Sequence, residues 1–396
     1  MMSVWSSLVG QEAAVAKLSD AAASARAIVA SRGGRASDEA RSMSHAWLIT
    51  GPPGSGRSVA ARAFAAALQC TGETPGCGAC PGCRTTMART NADVVFAATE
   101  TSIINVDTAR SLVLQAQSSP SQGLWRVIVV EDADRLGESG ANALLKAIEE
   151  PPEHTVWLLC APSPDDMIAT IRSRCRHLGL RIPTAAAVAD LLVREGVATP
   201  DVALDAARAA QSHIGLARAL ARDPQMRERR RAIITAPASV RSVGEAVMAA
   251  DRLLETAKAQ ADAQVSERNA REKAELLRQL GMEEGESATK ASRTMIRQLE
   301  EDQKRRSKRA LTDAIDRALI DLLAIYRDVL MVQVGGDGEL INTDLSDLVH
   351  EIAQDSTPRQ TLARVDHIET ARRRLIANGN PLLVLEDMAI SLRPQA

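Results

Sequence analysis

Residues 51–58 read GPPGSGRS and have the spacing of a phosphate loop, a glycine-rich turn between a strand and a helix. The glycines that allow backbone N–H groups to face a phosphate are Gly51, Gly54 and Gly56. The Ser58 hydroxyl is placed to bind Mg²⁺, so the candidate ligand is ATP or ADP with Mg²⁺. Arg57 stands where a lysine normally reaches the β- and γ-phosphates, and its longer, planar fork fits that role poorly. A glycine turn kept only for packing is the structural alternative.

Two acids, Glu131 and Asp132, follow the apolar run RVIVV at residues 126–130. A hydrolytic nucleotide site needs one carboxylate to hold Mg²⁺ and usually a second to orient the attacking water. Here the usual Asp-Glu order is reversed, which makes the metal ligand one methylene longer and the second acid one shorter. Because a misplacement of about 1 Å can cost on the order of 100-fold in rate, the reversal and Arg57 both predict a degraded ATPase site. A solvated, acidic strand end is the alternative.

Four of the six cysteines crowd into one short, glycine-rich segment, at Cys70, Cys77, Cys80 and Cys83. Tetrahedral Zn²⁺ takes four thiolates at about 2.3 Å, and tight turns allow C-x2-C steps to wrap one ion. This four-cysteine segment (residues 70–83) therefore predicts a closed, structural zinc site rather than disulfides. An adventitious thiol cluster and an iron–sulfur site are the alternatives. Cys160 lies in a predicted strand and is interpreted as a small core hydrophobe.

The elements that must position these residues alternate between strands and helices. Strands are predicted at residues 45–50, 126–130 and 155–161, and helices at 58–69 and 139–150. Strand, helix and strand at these spacings predict an α/β domain with a parallel sheet covered by helices on both faces. We expect this domain to span residues 1–182, with the zinc insertion at about 70–90.

The rest of the chain is predicted to be helical. We expect a small helical domain over 183–228 and a larger one over 229–396. Within the larger one, residues 254–309 form a charged helical extension with a break at GMEEGES, residues 281–287. One interpretation is a solvated pair of long helices; the other is an arm that contacts DNA or a partner through KRRSKR at 304–309.

The composition excludes several classes of protein. The 396 residues carry 48 basic and 50 acidic side chains, a net charge of −2, which argues against a binder that relies on bulk positive charge. Four Trp, two Phe and one Tyr are too few for a single-strand binder built on stacked bases. No apolar stretch approaches the roughly 18 residues of a membrane span, and the start lacks the pattern of a signal peptide. We therefore expect a cytosolic protein without a membrane partner.

Taken together, the motifs resemble the clamp-loader branch of the AAA+ ATPases. The matching segments, which run from about residue 5 to 182, are WSSLVGQEAAVAKL, HAWLITGPPGSGRS, the four-cysteine segment, NALLKAIEEPPEHTVWLL (142–159) and TIRSRCRHL (170–178). The later helices are compatible with the lid (183–228) and collar (229–396) domains of that family. The resemblance implies a subunit of a five-membered ring that uses ATP to open the sliding clamp and place it on primed DNA. Its partners would be the other clamp-loader subunits (tau/gamma and delta).

The resemblance also implies one catalytic residue. In that family a Ser-Arg-Cys motif, here Ser173, Arg174 and Cys175, projects its arginine into the ATP site of the neighbouring subunit. An arginine supplied in trans can raise the rate of phosphoryl transfer by about 10³ to 10⁵. The alternative is an ordinary surface arginine, since Arg172 and Arg176 lie beside it.

Departures from the family pattern decide between subunit types. Active members carry a threonine after the third strand, where this chain has Ala161 and Pro162. The phosphate-sensing arginine of the lid aligns with Gly215, with Arg218 nearby. Together with Arg57 and the reversed acids, these features favour a non-motor (stator) subunit without autonomous catalysis. Such a subunit would belong to a polymerase assembly whose nucleotidyltransferase site lies in another chain. The alternatives are an active motor subunit of the same loader and a zinc-dependent nucleic-acid-binding regulatory module.

Overall fold

The structure is a computed structural model, and it describes residues 3–31, 42–97, 104–282 and 290–393. The chain divides into two compact units, Met1–Arg218 and Ala219–Ala396. The first unit contains all five strands of the sheet and the second is helical. The division into three domains at residues 182/183 and 228/229 stays a prediction.

A five-stranded parallel sheet forms the centre of the first unit. Its strands are β1 (Ala46–Thr50), β2 (Val94–Ala97), β3 (Arg126–Val130), β4 (Thr155–Ala161) and β5 (Arg176–Gly179). They lie in the order β2-β3-β4-β1-β5, and every neighbouring pair is parallel. The three predicted strands are the central ones. The sequence analysis missed both edge strands, β2 and β5. The apolar run VVFA of β2 is only four residues long, and β5, which reads RHLG, has a single buried residue.

Helices cover both faces of this sheet, as predicted. The helices of the sheet domain are α1 (Glu12–Ala30), α2 (Arg57–Leu68), α3 (Pro81–Met87), α4 (Val106–Ala116), α5 (Glu138–Glu149) and α6 (Ala169–Arg172). Because side chains alternate along a strand, Trp47 and Ile49 pack in one core with α1 and α2. Ala46 and Leu48 pack in the opposite core with α4 and α5. The predicted α/β fold class is confirmed.

Local sequence explains where the two predicted helices begin and end. The alanine-rich α2 begins at Arg57, directly after Gly56, and its residues from Ala63 to Leu68 are all buried. Alanine has the highest helix propensity, and its small side chain lets a helix lie close to a sheet. Helix α5 ends at Glu149, just before Pro151 and Pro152, which cannot continue a helix.

After β5 the chain continues in short helices, α7 (Ala185–Arg194), α8 (Pro200–Ala209) and α9 (Ile214–Arg222), and the boundary of the first unit falls within α9. Thr184 begins α7 as its N-cap, accepting a hydrogen bond from the backbone N–H of Ala187, and Pro200 occupies the first turn of α8. As predicted, residues 183–224 contain no strand.

The second unit is formed by α10 (Pro224–Ser239), α11 (Val243–Gln279), α12 (Lys290–Gln333), α13 (Ser346–Gln354), α14 (Pro358–Ile376) and α15 (Pro381–Leu392). Its core includes Leu319, Leu322, Ile368 and Leu385. No helix in the described ranges is both long and apolar enough to cross a lipid bilayer.

The charged stretch 254–309 falls in the paired helices α11 and α12. Ala261, Val265 and Ala310 form a small buried cluster between them, and next to it Arg306 donates to Asn269 and Glu272, both at 2.8 Å. The basic run at 304–309 is thus partly engaged by acids of its own chain, which agrees with the interpretation as a largely solvated helix pair. Most of the break predicted at 281–287 lies outside the described residues.

Candidate functional site

The phosphate loop lies at the edge of the sheet where the parallel strands end. The last residue of β1, Thr50, is paired with Ala161 at the end of β4, and the N–H of Gly51 donates to the carbonyl of Pro162 at 3.1 Å. Glu131 follows β3, the next strand along. Ligands of open parallel sheets bind outside the carboxyl ends of the strands. The fold therefore places the predicted loop and the predicted acids at the edge where a nucleotide would bind.

The loop itself depends on glycine at two turns. Gly54 and Gly56 both have φ +90°, a left-handed conformation that favours glycine. A Cβ at Gly54 would lie 2.9 Å from the Cα of His213, which precedes α9. The sequence analysis missed His213 as a neighbour of the loop, because only the fold brings the two segments together. Ser58 lies in the first turn of α2, where the positive end of the helix dipole favours a phosphate.

Arg57, at the start of α2, and the strand-end acids lie on elements at the same edge of the sheet. Arg57, Glu131 and Asp132 are all close enough to act electrostatically on the buried thiol of Cys160 in β4. Burial raises the pKa of Cys160 to about 12, so this thiol stays neutral and acts as the core hydrophobe that was predicted. The guanidinium of Arg57 donates a hydrogen bond to the carbonyl of Gly51. Arg57 thus bonds to the backbone of its own loop, a contact consistent with a weakened phosphate-binding role.

Glu131 is engaged by a residue that the sequence analysis did not identify. The Nη2 of Arg89 lies 2.6 Å from Oε1 of Glu131, whose side chain is only 13% exposed. Burial raises the pKa of Glu131, and the attraction of Arg89 opposes that shift. Nothing in the sequence indicated this contact, because Arg89 lies 42 residues before Glu131 and outside any recognised motif.

Gln11, in the segment WSSLVGQEAAVAKL, connects the loop to the chain beyond the sheet. Its buried side-chain amide donates to the carbonyls of Ser55 (3.3 Å) and Arg181 (2.5 Å) and accepts from the N–H of Arg181 (3.2 Å). Buried backbone groups need such partners. Gln11 therefore holds the phosphate loop against the segment that follows β5.

The four cysteines form a compact cluster. All four Sγ atoms, those of Cys70, Cys77, Cys80 and Cys83, lie within 4.8 Å of one another. Those of Cys70 and Cys80 are 3.9 Å apart, close to the ~3.8 Å expected for two thiolates on one tetrahedral Zn²⁺. Although burial opposes it, hydrogen bonds such as that from the N–H of Cys83 lower the pKa of Cys80 to about 6. The donor set and its geometry fit a metal ion, so this cluster could hold one.

Close contacts with the sheet domain position this cluster. A Cβ at Gly82 would lie 2.0 Å from the carbonyl oxygen of Gln69, so only glycine allows α3 to approach the end of α2 so closely. Arg26 on α1 donates to the carbonyls of Cys70 (2.9 Å) and Glu73 (2.7 Å). The four-cysteine segment is therefore attached to the domain core and is not a separate module.

The predicted Ser-Arg-Cys motif lies where α6 ends and β5 begins. The guanidinium of Arg174 forms an ion pair with Glu149 at the end of α5 and donates to the carbonyl of Thr170 at 2.8 Å. It also contacts the hydroxyl of Ser173 at 3.2 Å, and its side chain is 38% exposed. Burial raises the pKa of Cys175 to about 12, which makes this thiol unreactive. The contacts of Arg174 lie in α5 and α6, not in the phosphate loop of its own chain.

The neighbouring arginines have partners of their own. Arg172 pairs with Asp165 at 2.5 Å, and the guanidinium of Arg176 lies 5.0 Å from the ring centroid of Trp47. Arg218, the arginine near the predicted sensor position, makes a forked contact with the carboxylate of Glu195 at 2.8 to 2.9 Å. Geometry alone therefore does not single out Arg174, and its assignment depends on the motif.

Comparison with known proteins supports the resemblance that the motifs indicated. Residues 35–184 match the family described as DNA polymerase III, delta subunit. The chain is 35% identical over 182 residues to the DNA polymerase III subunit delta' of Escherichia coli (44% of this chain, 54% of that protein). It is 36% identical over 161 residues to subunit delta' of Pseudomonas aeruginosa (40% and 48%), and 35% identical over 170 residues to subunit gamma/tau of Mycobacterium tuberculosis (41% and 29%).

These matches show that the N-terminal region, over residues 35–184, is similar to the DNA polymerase III delta subunit family. The chain spans about half the length of the delta' relatives and less than a third of the gamma/tau relative. Among solved structures, a gamma subunit-related protein of Thermotoga maritima is 17% identical with a TM-score of 0.42, over 88% of this chain and 93% of that one.

Proposed function

We propose that this chain is a non-motor, delta'-type subunit of the sliding-clamp loader in a bacterial DNA polymerase III holoenzyme. It would support ATP-dependent loading of the clamp onto primed DNA by supplying Arg174 to the ATP site of a neighbouring subunit. Its partners would be the tau/gamma and delta subunits, and through the complex the clamp and DNA, in the cytoplasm.

The observation that carries this proposal is the state of the nucleotide site. Arg57 bonds to the carbonyl of Gly51, and the Glu131 carboxylate is paired with Arg89. Ala161, at the end of β4, is fully buried and offers no hydroxyl to an attacking water. A phosphoryl-transfer site needs a cation on the phosphates, a carboxylate for Mg²⁺ and a group that orients the nucleophile. All three are altered here, whereas Arg174 is accessible at the surface.

The second candidate is an active motor subunit, which the similarity to the gamma/tau relative favours. An ATPase assay on the isolated chain separates the two. We expect hydrolysis at the background level, since the groups that hold and activate the nucleotide are altered. The matched control is a Ser58→Ala variant, whose rate should equal that of the wild type. Robust hydrolysis that Ser58→Ala abolishes would establish a motor subunit and overturn the non-motor role.

The proposal assigns Zn²⁺ to the four-cysteine segment as a closed structural ion, since four thiolates leave no coordination position for a substrate. Metal removal should then lower the melting temperature by roughly 5–10 °C, because binding free energy of a structural ion contributes to folding. Differential scanning fluorimetry before and after chelation measures this, with re-addition of Zn²⁺ expected to restore the original value.

A Cys77→Ser variant is the control for that measurement, since it removes one of the four thiolates of the cluster. Its melting temperature should lie below that of the wild type before chelation and should not fall further after chelation. An unchanged melting curve of the wild type after verified metal removal would contradict a stabilising role for zinc.

A further inference from the structure

Arg89 and Glu131 form an ion pair beside the phosphate loop that the non-motor role does not by itself require. The two side-chain atoms are 2.6 Å apart, and the Glu131 side chain is nearly buried. A charge-assisted contact at this distance is among the stronger polar interactions in proteins. The group that contacts Glu131, the candidate Mg²⁺ ligand, is therefore the positively charged guanidinium of Arg89.

Two features hold Arg89 in this position. Its backbone has φ +59°, a left-handed conformation uncommon for a residue with a side chain and often found at functional sites. Its guanidinium lies 5.0 Å from the ring centroid of Phe96 on β2, the strand next to β3, which carries Glu131 at its end. The turn and the aromatic ring together direct Arg89 towards the end of β3.

Arg89 is also attached to the four-cysteine segment. Helix α3 begins with Cys80 as its N-cap, includes Cys83, and ends at Met87. The N–H of Arg89 then donates to the carbonyl of Thr86 at 3.0 Å, which forms the turn after the helix. One short helix therefore joins the candidate metal cluster to the residue that pairs with Glu131.

The other charged groups that influence the pKa of Glu131 act more weakly than Arg89. Asp132 repels it, and Arg62 on α2 attracts it less than Arg89 does. The Nε of Arg62 is buried without a hydrogen-bond partner, so this guanidinium is incompletely bonded where it stands. Arg89 is thus the principal counter-charge of Glu131.

We propose that Arg89 is a positioning residue that holds the Glu131 carboxylate away from Mg²⁺. Because α3 of the four-cysteine segment places Arg89 there, nucleotide binding at this loop does not depend on Mg²⁺. A guanidinium and Mg²⁺ compete for the same carboxylate oxygens, and a hydrated Mg²⁺ binds through few protein carboxylates. The inference deepens the proposed non-motor function and rests on it, since it explains why the site is inactive.

The test measures the affinity of the isolated chain for a fluorescent ATP analogue with and without Mg²⁺. The Mg²⁺-free buffer is prepared with a chelating resin and contains no EDTA, which would strip the four-cysteine segment. For the wild type, the ratio of the two Kd values should be close to one. In Arg89→Ala the freed carboxylate can bind Mg²⁺, and the metal should tighten binding by about tenfold or more.

Three further variants separate this role from a merely structural one. Arg89→Ala with Glu131→Gln should return the ratio to one, and Arg89→Lys, which keeps the charge, should stay near the wild type. Arg84→Ala changes an exposed arginine on the same helix and serves as the matched control. Circular dichroism checks that each variant is folded.

A folded Arg89→Ala variant without Mg²⁺-dependent binding, including one that binds no nucleotide at all, overturns the proposal. So does a gain in Mg²⁺ dependence that survives Glu131→Gln. Failure of the non-motor function would be seen separately. Either the wild-type chain would hydrolyse ATP, or Arg174→Ala would leave the ATPase rate of the assembled loader unchanged.

Discussion

Arg174→Ala is expected to lower the DNA- and clamp-stimulated ATPase rate of a reconstituted loader by about tenfold or more, with the complex still assembled. An arginine supplied in trans stabilises charge on the transferring phosphoryl group and can contribute about 10³ to 10⁵ in rate. In this chain the guanidinium is 38% exposed and oriented by Glu149 and by the carbonyl of Thr170. The side chain is thus accessible to a neighbouring subunit, and its direction is set within its own chain.

Arg172→Ala is the matched control for this experiment. Arg172 lies two residues away, is 42% exposed and pairs with an acid of its own chain, Asp165. Its loss should leave the ATPase rate near the wild-type value, because a surface ion pair contributes little. Size-exclusion chromatography establishes that each complex is assembled. An unchanged rate in an assembled Arg174→Ala loader would show that this arginine is structural.

Asp93→Asn is expected to destabilise the fold by about 3 kcal/mol. The Asp93 carboxylate, which is fully buried, accepts hydrogen bonds from the backbone N–H groups of Ser121 (2.6 Å), Gln122 (2.8 Å) and Gly123 (2.6 Å), and from the Ser121 hydroxyl (3.0 Å). An asparagine would turn an NH₂ group towards some of these donors, leaving them buried and unpaired. Urea denaturation followed by circular dichroism at pH 7 measures the loss.

The same carboxylate predicts a dependence on pH. Burial alone would raise its pKa, but the hydrogen bonds from Ser121, Gln122 and Gly123 lower it below the usual value. A group with a lowered folded-state pKa stabilises the fold above its unfolded pKa, about 3.9, and this contribution is lost as the pH falls through the folded pKa. The stability difference between wild type and Asp93→Asn should therefore be constant near neutral pH and shrink below about pH 4.

Asp107→Asn provides the control, since the Asp107 side chain is 84% exposed and its only ion pair in the described residues is a distant one, with Arg110 at 3.8 Å. It should change stability little at any pH. If Asp93→Asn were no less stable than Asp107→Asn, or if its difference from the wild type persisted unchanged to pH 3, the Asp93 carboxylate would not hold this loop as an anion.

The sequence alone determined the features that short segments encode. The apolar runs around Leu48, Ile128 and Leu158 predicted the three central strands, because a strand buried on both faces must be continuously apolar. The glycine spacing at residues 51–58 predicted a phosphate loop, and the C-x2-C steps predicted a cluster that the structure confirms, with all four Sγ atoms within 4.8 Å. In each of these, the residue pattern that carries the prediction lies within one short segment of the chain.

The tertiary structure alone decided which distant residues complete these features. The edge strands β2 and β5, the contact of Gly54 with His213, and the pairing of Arg89 with Glu131 join residues that no local pattern connects. Arg89 and Glu131 are 42 positions apart, and Asp93 and Ser121 are 28 apart. A side chain's burial and its counter-charge depend on what packs against it in space. The pairing of Glu131 with Arg89 therefore depends on the folded sheet, not on the residues beside Glu131 in sequence.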